Sequence, residues 1–147
     1  MDEVELPDEQ AQLWYLIRRV AGLLDRTGDA LFRRELDISL AQFLVLSVVD
    51  AHPGPLNQQA IADRLGLTKG TVSRQIEQAV AAGLMDVQTS PQNRRENALR
   101  LTAAGTELVR RGDALYADAR RSTLPAADAA DIASTLRVLW ELNRALG

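Results

Sequence analysis

The chain has no cysteine and a single histidine, and these shortages exclude several classes of function. Without thiols there is no disulfide, iron–sulfur cluster, cysteine nucleophile or thiol-based redox sensor. The sequence also lacks a glycine-rich phosphate loop and a metal-ligand cluster at a recognisable spacing, so we expect no enzyme, no metal and no cofactor. Acid–base catalysis stays open only through the acidic pairs Asp25 with Asp29 and Asp128 with Asp131, which we interpret as solvated.

Long apolar runs are missing as well. No stretch of about 18 apolar residues is present to span a membrane. The N-terminus, from Met1 to Glu5, is acidic where a signal peptide would be basic. We therefore expect a cytoplasmic protein with no membrane partner. Its 147 residues are 46% hydrophobic, 25% charged and only 4% aromatic, which fits one helix-rich domain over residues 1–147.

The chain is acidic overall, but its middle segment is basic. The net charge is −3, but residues 57–100 hold six basic against four acidic side chains. Residues 1–56 hold ten acidic against five basic, and residues 101–147 hold six of each. Charges are screened beyond about 8 Å at physiological salt, so the local sign decides which partners bind. The middle segment is therefore where an anionic partner is expected.

Helical periodicity predicts two helices in the first third of the chain. From Leu13 onward apolar residues recur along one face, which predicts an amphipathic helix over about residues 8 to 36. Ser39 and Gln42 have the spacing of a capping box before a strongly apolar second helix, which we expect to be largely buried. The segment 52–55 ends that helix, because its two prolines lack backbone donors.

Residues 57–83 have the pattern of a helix-turn-helix. Asn57 caps a short third helix that runs to Leu65, and Gly66 follows where a left-handed residue is needed. Thr68 caps a fourth helix, which Gly83 stops. The predicted inward face of this fourth helix consists of Val72, Ile76 and Val80. Two helices joined by a short turn with glycine are typical of DNA-binding proteins.

The apolar period changes to two after the fourth helix. Met85 and Val87, and later Leu99 and Leu101, alternate with their neighbours, which predicts two short strands. The segment between them, residues 89–97, is polar, turn-prone and basic near its tip. We interpret this hairpin as a wing.

Two further helices with apolar seams are predicted at the C-terminal end, one capped by Thr102 and one opened by Pro125. Little else in the chain covers the seams, which favours a homodimer that spaces two recognition helices by about 34 Å, one turn of DNA. The predicted fold class is mainly α with a small β-hairpin. It is a winged helix-turn-helix over residues 39–101, flanked by dimerisation helices at 8–36 and 102–147.

The fourth helix carries most of the candidate DNA-binding side chains. Lysine and arginine bind phosphate or guanine, glutamine pairs with adenine, hydroxyls bond to either, and glycine permits close approach. Either Gln75 or Gln78 is expected to supply the glutamine. The candidates for the major groove are Lys69, Gly70, Thr71, Ser73, Arg74, Gln75 and Gln78.

Two further groups complete the predicted contact with double-stranded DNA. Asn57, Gln58 and Thr68 lie at helix starts, where backbone N–H groups bind phosphate. Arg94 and Arg95, at the tip of the wing, are expected to enter the minor groove.

Several short motifs link the chain to a known family. They are NQQAIA at 57–62, LTKGTVSR at 67–74, AGL at 82–84, NRR at 93–95 and LRLTAAG at 99–105. With them the chain resembles the MarR family of winged-helix regulators from about residue 8 to the end. The resemblance implies a homodimer interlocked by its first, fifth and sixth helices, bound to a pseudo-palindromic site and usually acting as a repressor.

Two features of the wing depart from the family pattern, and one family mechanism is excluded. Asn93 stands where the family commonly has Asp before the paired arginines, and Gln92 stands where a basic residue is frequent. In many members a small, often aromatic ligand or an oxidant releases the DNA. The absence of cysteine excludes the thiol-sensing branch, which leaves a small-molecule effector or none.

The aromatic side chains all lie outside residues 44 to 115, in the helices that the resemblance assigns to dimerisation and ligand binding. A pocket that uses Trp14, Arg18 or Phe43 is one interpretation, and simple filling of the core and interface is the other. For the whole chain, the alternative to a DNA-binding regulator is a winged-helix module that binds proteins through its acidic first third.

Overall fold

Helices dominate the structure. The computed structural model describes residues 8–52, 54–89, 97–124 and 126–147. Within these ranges the elements are α1 (Glu9–Leu36), α2 (Leu40–Ala51), β1 (Gly54–Pro55), α3 (Gln58–Leu65), α4 (Lys69–Ala81), β2 (Met85–Thr89), β3 (Asn97–Leu101), α5 (Ala103–Thr123) and α6 (Ala129–Leu146). The predicted fold class, mainly α with a small hairpin, is confirmed.

The chain divides into two compact units, and the boundary between Gly112 and Asp113 falls within α5. The first unit contains α1 to α4 and the three strands, and the second contains α6. Among the described helices, none combines the length and the hydropathy that crossing a bilayer requires.

Polar caps set the starts of the central helices as predicted. Ser39, Asn57 and Thr68 each accept a hydrogen bond from the backbone N–H three residues later, at 2.7 to 3.1 Å. Each bond satisfies a donor that the first turn of a helix leaves unpaired. The expected start of the sixth helix at Pro125 is wrong, because α6 begins directly after Asp128. The Asp128 carboxylate caps the helix by accepting from the N–H of Asp131 at 2.8 Å.

The second helix lies at the centre of the first unit, and its predicted burial is confirmed. It packs against α1, α3, α4 and β3. The ring of Phe43 lies 4.5 Å from the ring of Phe32 on α1, centroid to centroid, and both rings are buried. Gly112 of α5 comes so close that a Cβ there would overlap the Phe43 ring. Other fully buried side chains of this core are Val45, Leu46, Val49, Ile61, Val72 and Met85.

The predicted hairpin is present, and it gains a third strand. In the antiparallel pair of β2 and β3, Met85 lies opposite Leu101 and Val87 opposite Leu99. The short strand β1 pairs with the other side of β3, so the strand order is β1-β3-β2. Glycine and proline are depleted in strands, and proline is tolerated mainly at an edge, which is why the sequence did not predict β1.

Asp29 joins the end of α1 to the start of α2. One carboxylate oxygen accepts from the Leu40 backbone N–H at 3.0 Å, and the other accepts from Arg33 Nε at 2.8 Å. The hydrogen bond from Arg33 and then that from Leu40 hold the pKa of the Asp29 carboxyl below its usual value. This carboxylate therefore has a structural role at a helix junction.

We expect the substitution Asp29→Ala to lower the free energy of unfolding by about 1 kcal/mol near neutral pH, the usual value of a helix-end capping bond. Since the folded-state pKa is lowered, the contribution is present above the unfolded pKa and is lost as the pH falls through the folded pKa. Urea unfolding near neutral pH and at about pH 3 should therefore show a smaller loss in acid. Asp25→Ala, one turn earlier on the same helix, is the matched control. An equal loss at both pH values would contradict the assignment.

Candidate nucleic-acid interface

The predicted helix-turn-helix consists of α3, a tight turn and α4. The turn begins at Gly66, whose φ of 64° is left-handed and suits a residue without Cβ. The N–H of Leu67 returns to the carbonyl of Ala62 at 3.0 Å and closes the turn. Thr68 then caps α4, which packs on α3 and α2 along one side. The opposite side of α4 is left to the solvent.

The buried face of α4 differs from the predicted one at three positions. Val72 and Ile76 are buried as predicted, but Val80 is 41% exposed, and Gln75 and Ala79 are buried in addition. The reason is helical geometry. Val80 follows Val72 by eight residues, which rotates its side chain about 80° away from that of Val72, whereas Ala79 follows by seven residues and lies only about 20° away. The prediction that Val80 faces inward is therefore wrong.

The solvent face of α4 is centred on Gly70, Arg74 and Glu77, which lie opposite the buried residues and are exposed. A Cβ added at Gly70 would meet nothing within 4 Å, so the helix backbone is open to a partner at this position. Glu77 is not among the residues predicted from the sequence to contact DNA. Its position three residues after Arg74, on the same helical face, is the signal that identifies it.

The other candidates on α4 flank this face. Lys69 and Gln78 are exposed, while Thr71 and Ser73 are half-buried. Gln75 is only 7% exposed, so Gln78 is the glutamine available to a partner. The expectation that Gln75 reaches an adenine is withdrawn, because its side chain belongs to the buried face.

Hydroxyl and amide groups at the two helix starts already have local partners. The Thr68 hydroxyl accepts from the N–H of Thr71 at 3.1 Å and donates to the Thr71 hydroxyl at 2.9 Å. Asn57 Oδ1 accepts from the N–H of Ala60 at 2.7 Å. These residues order the first turns of α3 and α4. They leave the remaining backbone donors of those turns, including that of Gln58, to a partner such as phosphate.

The predicted minor-groove residues Arg94 and Arg95 lie outside the described residues, as do Gln92 and Asn93. Their roles stay predictions. The strands that lead into and out of that segment are paired as far as Thr89 opposite Asn97.

The three candidate effector residues are placed differently from one another. Trp14 and Arg18 are exposed one turn apart on α1. Phe43 is buried against Phe32 and Gly112. It therefore serves the core, and Trp14 and Arg18 are the two that a ligand can reach.

Comparison with known proteins identifies the family. A profile of the MarR family matches residues 36–96, from the end of α1 through the helix-turn-helix. An uncharacterised protein of Mycobacterium tuberculosis is 33% identical over 104 residues, which are 71% of each chain. The chain belongs to the MarR family.

Two solved structures share the fold of this MarR-family protein. A MarR/EmrR family transcriptional regulator from Acinetobacter sp. ADP1 has a TM-score of 0.84 at 20% identity, over 95% of this chain and 97% of that one. The MepR protein of S. aureus, solved as a DNA complex, has a TM-score of 0.80 at 22% identity, over 90% of this chain and 96% of that one. The MarR-family protein thus shares the winged-helix fold of these two proteins.

Proposed function

We propose that this protein represses transcription by binding double-stranded DNA sequence-specifically, as a homodimer on a pseudo-palindromic operator. One observation carries the proposal: α4, capped by Thr68, turns Gly70 and Arg74 away from its packed face and into solvent. In helix-turn-helix proteins the second helix enters the major groove with its N-terminal residues on the base edges. MepR, which shares the fold, was solved as a DNA complex, and this supports DNA as the partner.

The contacts divide by chemistry. Lys69, Arg74 and the hydroxyls of Thr71 and Ser73 read the major groove, with Gln78 as the available amide for adenine. The carboxylate of Glu77 would accept from the N4 amine of cytosine, and it repels phosphate if no such base is present. The starts of α3 and α4, at Asn57, Gln58 and Thr68, position the backbone. Arg94 and Arg95 are proposed to enter the minor groove.

Exposed apolar side chains support a homodimer. α6 contains no buried residue within its described range, although Ile132, Leu136, Leu139 and Trp140 lie along it. In α1, Leu13, Leu16, Val20 and Leu24 are likewise exposed. Apolar rows of this length on a helix usually mark a surface that a partner covers. A second copy would bury both rows and place two α4 helices on successive turns of one DNA face.

Relief of repression by a small aromatic ligand is the last part of the proposal. Trp14 and Arg18 support it, because an exposed ring and a guanidinium one turn apart match a ligand that combines a ring with an acidic group. Phe43 has no part in this contact, since it is buried.

DNA binding is tested by titrating fragments from the promoter of the protein's own gene with the full-length protein at several salt concentrations. We expect the logarithm of the affinity to fall linearly with the logarithm of the salt concentration, with a loss of at least about a thousandfold between about 50 and 200 mM salt if six or more phosphates are contacted. Footprinting should show two half-sites whose centres are about 10 base pairs apart.

Three outcomes would each contradict a different part of the proposal. Absent or salt-insensitive DNA binding would favour the protein-binding module. A single half-site would contradict the dimer. Turnover that is lost when an acidic pair is mutated would favour an enzyme.

A further inference from the structure

A polar pocket lies on the flank of α4. Its volume is about 390 Å³, and it is formed where the end of α1 and the start of α2 meet α4. Of the described residues that line it, only Ile38 has an apolar side chain. Its polar lining includes Arg33, Asp37, Ser39, Gln42, Arg74 and Gln75. Such a lining does not suit an aromatic hydrocarbon ring, and it does suit a hydrophilic ligand.

Gln75 is the unusual member of this lining. It is 7% exposed, and within the described part of the chain its Oε1 atom has no hydrogen-bond partner. A buried polar atom without a partner is unfavourable, and an apolar side chain of the same size would pack here without that penalty. The terminal torsion of glutamine is soft, so the amide turns toward the pocket at little cost. A ligand hydroxyl would then give it the missing partner.

The charged groups of the pocket indicate what else the ligand carries. Arg33 and Arg74 contribute two positive charges, while Asp37 in the lining and Asp29, which pairs with Arg33, contribute two negative charges. Arg33 uses its Nε on Asp29 at 2.8 Å, which leaves its two terminal nitrogens for another acceptor. Guanidinium groups bind carboxylates with two parallel hydrogen bonds. The guanidinium donors that remain available on Arg33 and Arg74 favour a small carboxylic acid.

The backbone at the pocket wall is also unusual. Asp37 has a φ of 56°, and it is the only residue besides glycine with a positive φ in the described ranges. Such a conformation costs free energy and clusters at ligand sites. At this position it lets α1 end and α2 begin within three residues, which brings Arg33 and Ser39 to the same pocket.

We propose that this pocket binds a small hydroxy carboxylic acid, with the carboxylate on Arg74 and Arg33 and the hydroxyl on the Gln75 amide. Because Arg74 is also assigned to DNA, the bound acid competes with the operator for the same guanidinium. By thermodynamic linkage each ligand then weakens the other by the same factor. This regulatory consequence rests on the proposed function, whereas the binding of the acid does not.

Calorimetric titration of the full-length protein without DNA tests the site. The probes are L-malate and succinate, which differ by one hydroxyl group. We expect wild-type protein to prefer malate about tenfold, the typical effect of one hydrogen bond. In Gln75→Leu that preference should disappear, and the unfolding temperature without ligand should rise because the unpaired amide is gone. Arg33→Ala, at an exposed position, should weaken both acids equally and leave their ratio unchanged.

Three results would overturn the site. They are equal affinities of the two acids for wild-type protein, a preference for malate that persists in Gln75→Leu, and malate binding weaker than about 10 mM. If Gln75→Leu does not fold, the ratio in wild-type protein and its persistence in Arg33→Ala still decide the question.

The regulatory consequence is tested with operator DNA. Malate should raise the apparent dissociation constant of wild-type protein for DNA, and the same increase in Gln75→Leu should need about tenfold more malate. If malate binds the free protein but DNA affinity stays constant, the competition for Arg74 is refuted. If the protein binds no DNA under any condition, the proposed function fails, while the calorimetric comparison still decides the pocket.

Discussion

Replacing Gly105 with alanine is expected to lower the free energy of unfolding by about 3 kcal/mol or more, the upper end of the usual cost of overpacking. A Cβ at this position would overlap the carbonyl oxygen of Leu84, which is backbone and cannot move aside as a side chain does. The same oxygen accepts the N–H of Thr102 at 3.1 Å, and the Thr102 hydroxyl donates to the carbonyl of Gly83 at 2.7 Å and caps α5. The substitution therefore separates the turn after α4 from the start of α5.

Thermal unfolding at a fixed protein concentration measures this effect, with an expected drop of roughly 10 °C for a chain of this size. Gly70→Ala is the matched control, because nothing lies within 4 Å of a Cβ there. In the control, the free energy of unfolding should stay the same or rise by about 0.5 to 1 kcal/mol, since alanine is a better helix former than glycine. If the two substitutions had the same effect, the close contact between Gly105 and Leu84 would be refuted.

The second large effect is expected for DNA affinity. Arg74→Ala should weaken operator binding about a hundredfold in a homodimer, because two guanidinium contacts of about 1 to 3 kcal/mol each are lost. The Arg74 side chain is exposed and lies on the face of α4 opposite the core, so the unfolding temperature should stay unchanged. A lost phosphate contact would reduce the salt dependence by about one unit per site, whereas a lost guanine contact would relax the sequence preference instead.

Arg111→Ala is the matched control for this prediction. It removes the same charge from an exposed position on α5, outside the helix-turn-helix. Its effect on DNA affinity should be small at physiological salt, where screening limits charges beyond about 8 Å. Equal losses for both variants would mean that the overall charge, and not the outward face of α4, governs binding.

Features encoded by a few neighbouring residues were predicted well. The caps at Ser39, Asn57 and Thr68, the left-handed turn at Gly66 and the two strands β2 and β3 are all confirmed. Each depends on a hydrogen bond or a backbone conformation within about one helical turn or one strand, so the residues that determine it are adjacent in the chain.

Features that depend on distant partners were not predicted. The strand β1 exists because Gly54 and Pro55 meet β3, more than forty residues later in the chain. The start of α6 is an exception, because it was mispredicted at Pro125 although a local residue, Asp128, caps the helix. For Phe43 the sequence left a ligand pocket and the core as alternatives, and its contacts with Phe32 and Gly112 place it in the core.

The candidate interface shows the same division. Residue types and spacing were enough to place a capped helix with Gly70 and Arg74 on its solvent side, because a helix repeats every 3.6 residues wherever it lies. Periodicity alone did not decide how wide the buried face of α4 is, since that width depends on α2 and α3 packing against it. Their packing exposes Val80, buries Gln75 beside the pocket and leaves Glu77 next to Arg74. Secondary structure and the polarity of each helix were thus local properties of the chain, while the partners of each side chain depended on contacts between elements far apart in sequence.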